Sequence, residues 1–119
     1  MTPLDAAATM MIALGRDDIS GELTPKTQRE IQQHLIGGLG ADEDETIETV
    51  ERVAKILKNT ADADTVVLPV CRILKRNINR GQAADLARIL DKIYAGCKSP
   101  AADKTQALQS YKDRLGLNV

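Results

Sequence analysis

The chain has 119 residues, 43% of them hydrophobic and 28% charged, with a net charge of −1. That is one domain's worth of sequence, 1–119, too apolar to stay disordered and too neutral to be drawn as a whole to DNA or anionic lipid. Two Tyr without Phe or Trp exclude a base-stacking platform, and one His with two Cys and no Cys-x-x-Cys excludes the common zinc spacings and a disulfide scaffold.

The first predicted helix opens at Thr2-Pro3, where a hydroxyl can accept from first-turn amides and Pro loses nothing at the first helical position. Leu4, Ala8, Met11 and Ile12 then recur at helical steps, and Gly15 marks the stop. The start lacks the basic and apolar stretches of a leader, and no segment approaches the ~20 apolar residues of a membrane helix, so a reduced, cytoplasmic protein is expected. The stretch after Gly15 has a superficial EF-hand look. Placing Gly21 at the sixth position puts Arg16 at the first and Thr27 at the twelfth, where carboxylates are needed, so an EF-hand is rejected.

Thr24-Pro25 opens a second helix with Ile31, Leu35 and Leu39 on its apolar side and Gly37-Gly38 as its stop. The glycines of 37–40 follow a helix and lack the strand and Lys-Ser/Thr of a phosphate loop. His34, alone on this helix, reads as a partly exposed helix residue. Asp42 with Glu45 forms a capping-box pattern for a third helix carrying Ile47, Val50, Ala54 and Leu57. Its first-turn carboxylates complement the helix dipole, and Glu48–Arg52 and Glu51–Lys55 have the spacing of i,i+4 pairs.

A fourth helix is expected to begin near Asp62 or Asp64, with Pro69 in its first turns and Val70, Ile73 and Leu74 inward. Cys71 reads as small core filler. Asn79 with Gln82 opens a fifth helix, with Leu86, Ile89, Leu90 and Ile93 inward, and Ser99-Pro100 opens a sixth, with Leu108, Tyr111 and Leu115. Cys97, placed before that start and beside Lys98, is the candidate reactive thiol, because both neighbours favour thiolate. The prediction is an all-α, single bundle of about six helices.

Charge divides unevenly. Residues 1–59 hold six Lys/Arg and eleven Asp/Glu, and residues 60–119 hold ten and six. The halves are expected to attract each other inside the fold; the alternative is that each faces a different partner. Arg72, Lys75, Arg76, Arg80 and Arg88 form a candidate partner-binding surface. No Ser/His/Asp set, pocketed carboxylate pair or nucleotide signature is present, so the chain is expected to be non-enzymatic and to need no cofactor.

The two ends of the chain echo each other. An apolar helix runs into Gly21-Glu22-Leu23-Thr24-Pro25 and an amphipathic helix, and another runs into Gly96-Cys97-Lys98-Ser99-Pro100 and its own. These units read either as a pseudo-repeat of two helical hairpins or as two hairpins sharing generic caps. With Gly38-Leu39-Gly40, the acidic helix start, and Asn79-x-x-Gln82 leading into Leu86 to Gly96, the chain resembles the TerB-like (tellurite-resistance B) family.

The resemblance implies an all-helical bacterial stress-response module that acts through protein partners, with acidic residues of the two loops gathered around a divalent cation. Here the family's Glu-Glu after the first Pro is Lys26-Thr27 and after the second is Ala101-Ala102. The implied metal contact therefore shrinks to Asp17, Asp18 and Glu22, a set that binds weakly. The alternative reading is a small helical subunit or inhibitor of a phage- or CRISPR-type nucleoprotein complex, bound through the same five cations.

Overall fold

The structure, a computed structural model, describes residues 2–17, 20–58, 67–96 and 102–116. Six helices run in chain order: α1 (Pro3–Gly15), α2 (Pro25–Leu39), α3 (Glu43–Lys58), α4 (Val67–Asn77), α5 (Arg80–Ala95) and α6 (Ala102–Leu115). Among the described residues there is no strand. The fold is the all-α bundle that the spacing predicts, and no described helix is long and apolar enough to cross a membrane.

The caps form as the sequence requires. At α1, Thr2 Oγ1 accepts from the Asp5 amide at 3.0 Å, and the Asp5 carboxylate accepts from the Thr2 amide at 3.1 Å. Thr24 caps α2 by accepting from the Thr27 amide at 3.1 Å, Asp42 accepts from the Glu45 amide at 3.0 Å, and Asn79 accepts from the Gln82 amide at 2.8 Å. Asp62, Asp64, Ser99 and Pro100 lie outside the described residues.

Helix α2 ends within the glycine-rich 37–40 stretch: it runs to Leu39, and Gly40, with a φ of 68°, is the left-handed cap. One expectation is corrected. In α3 the buried stripe is Thr46, Thr49, Val50, Val53 and Leu57, which leaves Ile47 exposed and Ala54 half-buried. Thr46 can turn inward because its hydroxyl donates to the Asp42 carbonyl at 2.6 Å, so burial leaves no orphan donor.

Helix α1 is the centre of the molecule. Every residue from Ala6 to Leu14 is buried, on all sides of the helix rather than on one stripe, and α1 touches each of the other five helices. Its contiguous Ala, Met, Ile and Leu content explains this: no polar face is available to turn to water. Ile31 and Leu35 of α2, Val70 and Leu74 of α4, Leu86 and Leu90 of α5, and Ala107 and Tyr111 of α6 close around it, all essentially inaccessible. Cys71 is core filler as expected, and burial pushes its thiol up, against a smaller opposite pull from Arg114.

Candidate functional site

The ends of α1 and α5 and the start of α2 meet at one pole. A Cβ placed on Gly15, the last residue of α1, would lie 3.0 Å from Thr27 of α2 and 3.3 Å from Ile93 of α5, so three helix ends converge there. Two cations are buried among them. The Arg16 guanidinium donates to the Leu57 carbonyl at the end of α3, and the Lys104 ammonium of α6 donates to the Arg16 carbonyl. Helix C-termini present unpaired carbonyls and a partial negative charge, which gives a buried cation the acceptors it needs. Tyr94 and Thr105 join α5 to α6 through their hydroxyls, 2.7 Å apart.

The first loop folds onto the same pole. Gly21 has φ 73°, and a Cβ there would sit 2.8 Å from the Lys58 carbonyl oxygen, so only glycine allows the loop to lie on the end of α3. Of the implied metal set, Asp18 lies outside the described residues. Asp17 accepts from the Ser20 amide at 2.7 Å, and Glu22 pairs with Lys58 at 2.7 Å. Among the described residues no three His, Cys, Asp or Glu gather as a metal-binding group. The two described carboxylates do not make a cation cage, because one of them already faces an ammonium. Cys97 lies outside the described residues.

The candidate basic surface is assembled, with one member set apart. Arg72, Lys75 and Arg76 are exposed on the outer side of α4, and Arg80 is exposed at the start of α5. None of the four has an ion pair among the described residues, and α4 carries no carboxylate at all. Arg88 differs, since it is ion-paired with Asp85 one turn back on its own helix. Arg114, exposed in the last turn of α6, joins the surface, since the residues that follow it, Leu115 and Gly116, line the same cleft as Lys75 and Arg80. Sequence reasoning missed Arg114 because only the packing of α6 on α4 brings it there. Lys75 and Arg80 border a cleft of about 640 Å³ whose wall includes Ile78, Ala83, Ala84 and Leu115.

The ion pairs given by the described residues lie within each half. Arg52 pairs with Asp5 at 2.6 Å and Lys58 with Glu22, both inside the acidic half. Arg88 pairs with Asp85, and Lys112 with Asp91 at 2.6 Å, both inside the basic half. The i,i+4 pairs expected on α3 do not form: Arg52 reaches across to α1 instead, where Asp5 is already fixed by its cap. Asp44, Glu45, Glu48 and Glu51 stay exposed on α3 with no ion pair among the described residues. Compared with known proteins, the chain matches no family model, no curated protein and no solved structure, so the role of these surfaces is argued from their own geometry.

Proposed function

We propose that this chain is a non-enzymatic interaction module of TerB-like type that binds an acidic partner through the basic surface of α4, the start of α5 and the end of α6. The observation that carries this reading is the set Arg72, Lys75, Arg76, Arg80 and Arg114, five exposed cations from three helices, none of them ion-paired among the described residues. Long cationic side chains left unpaired keep their full field for a partner, and the apolar cleft wall beside Lys75 and Arg80 gives that partner surface to bury. The TerB-like part, and with it a bacterial stress-response role, rests on the sequence resemblance and on the six-helix all-α fold, in which the ends of α1 and α5 lie together. A divalent cation at the first loop is left out, because Glu22 is committed to Lys58.

The nucleoprotein alternative uses the same cations. It is disfavoured by the lack of rings for stacking bases. The test is fluorescence anisotropy with labelled poly-glutamate beside labelled duplex DNA and single-stranded RNA. Binding to poly-glutamate that weakens at least about tenfold in an Arg72→Ala/Arg76→Ala chain is the expected result. Preferential binding to DNA or RNA, with log affinity falling by about 0.9 per phosphate contacted as log salt rises, would move the assignment to the alternative.

A further inference from the structure

The acidic side of α3 and the basic side of α4 belong to the same chain, yet they leave each other unneutralised. Helices α3 and α4 share no contact, each packing on α1 instead. Both nevertheless border one cleft of about 330 Å³, where Asp42 and Glu45 from the start of α3 face Asn77 and Ile78 from the end of α4. The cleft therefore brings the acidic start of α3 beside the end of the helix that carries the basic stripe. The large apolar residues left exposed fall on these same two helices: Ile47 (37%) and Ile56 (61%) on α3, and Leu68 (48%) on α4. Leu68, Arg72 and Arg76 follow one another at four-residue steps, with Lys75 three residues after Arg72, so they occupy one outward stripe.

We infer that the partner of this surface is a second copy of the chain, with the Glu48 and Glu51 side of α3 in one copy seated against the Arg72 and Arg76 stripe of α4 in the other. The inference rests on the reading of the basic surface as a docking face and adds the identity of what docks. A surface that carries adjacent patches of opposite sign is self-complementary under a two-fold rotation, because each patch then meets the other copy's opposite. Along each helix the charged pairs are spaced by about 4.5–6 Å at 1.5 Å per residue, so the rows can register. Ile47 and Leu68 lie next to the charges and are covered in the same contact. Exposed ion pairs add little each, so the assembly is reversible and sensitive to salt.

The experiment is analytical ultracentrifugation of the full chain at about 20 mM and about 500 mM salt. Three further samples accompany it: Glu48→Lys/Glu51→Lys, Arg72→Glu/Arg76→Glu, and an equimolar mixture of these two. The expected result is a weight-average mass above the single-chain 12.9 kDa at low salt, falling to it at high salt. Each reversed chain alone stays monomeric, and the mixture associates again. Restored association by mixing cannot come from misfolded variants, and circular dichroism of each confirms retained helix. A wild-type chain that is monomeric at low salt, reversals without effect, or a mixture that stays monomeric overturns the inference. If the wild type is monomeric but still binds poly-glutamate through Arg72 and Arg76, only the second copy is lost. If poly-glutamate binding is absent too, the docking face itself goes with it.

Discussion

Tyr111 is the largest fully buried side chain in the molecule, and its hydroxyl is the one buried side-chain polar atom without a hydrogen-bond partner among the described residues. Burial, with a smaller contribution from nearby Cys71, pushes the phenol well above its usual range, so it stays protonated. An orphaned buried hydroxyl is a standing cost, and the ring does the packing. Tyr111→Phe is therefore expected to stabilise by about 1 kcal/mol, read as a higher urea midpoint at unchanged slope. A lower midpoint would mean that the hydroxyl has a partner. Two other groups set the pH response. Burial lowers His34, Lys92 lowers it further, and Glu30 opposes them, leaving it below the ordinary 6.5. Its neutral form suits the fold, so the associated stability is full above pH 6.5 and is lost as pH falls through the lower folded value. At Asp5, burial raises the carboxyl, but the Thr2 amide and Arg52 outweigh it and hold it below 3.8. That contribution is present above pH 3.8 and disappears as acid reaches the depressed folded value. Unfolding midpoints should fall in two separate steps on acidification, the first removed by His34→Gln and the second by Asp5→Asn.

At the level of the element, glycines that look alike in the sequence should respond with opposite sign. Gly37 is helical and exposed, and a Cβ there meets nothing within 4 Å, so Gly37→Ala is expected to stabilise by about 0.5–1 kcal/mol. Gly40 has open space but a φ of 68°, and alanine there costs about 1–2 kcal/mol. Gly21 combines a φ of 73° with the Lys58 carbonyl 2.8 Å away, so Gly21→Ala should be the worst of the three. Thermal or urea unfolding of the three variants checks the order. The helices themselves were legible because their caps are chemical and local: Thr2, Thr24, Asp42 and Asn79 each find the amide that their spacing predicts. Which side of a helix faces inward was less legible. In α3, Thr46 and Thr49 displace Ile47 and Ala54 from the core, since a threonine satisfied by its own backbone buries without penalty and makes room for the neighbouring valine. In α1, counting steps found one stripe where the unbroken run from Ala6 to Leu14 called for burial all round.

For the molecule as a whole, the cationic members of the candidate site could be read in the sequence and their pairing could not. Arg72, Lys75, Arg76 and Arg80 are close in sequence, so one helix and its successor suffice to gather them. Arg88 and Arg114 exchange places in the account because long-range packing decides it: Asp85 occupies the first, and α6 delivers the second to α4. Arg16 and Lys104 carry no local sign of burial; their sites exist only once the ends of α1 and α3 and the first turn of α6 come together. Raising salt should therefore act unevenly. The surface charges of α3 and α4 are screened, while the buried pair, shielded from ions, keeps its contribution. Chemical unfolding at low and high salt should show a small change in stability beside a large change in association.

The enclosure of α1 also has a consequence for biosynthesis. The segment destined for the middle of this fold leaves the ribosome before the helices that surround it, and α5 and α6 follow it by more than sixty residues. Until they emerge, nine consecutive apolar or small residues have only a partial cover. Their make-up of alanine and methionine, strong helix formers with little tendency to pair as strands, lets that stretch wait as a helix rather than seek the edge of a neighbouring nascent chain.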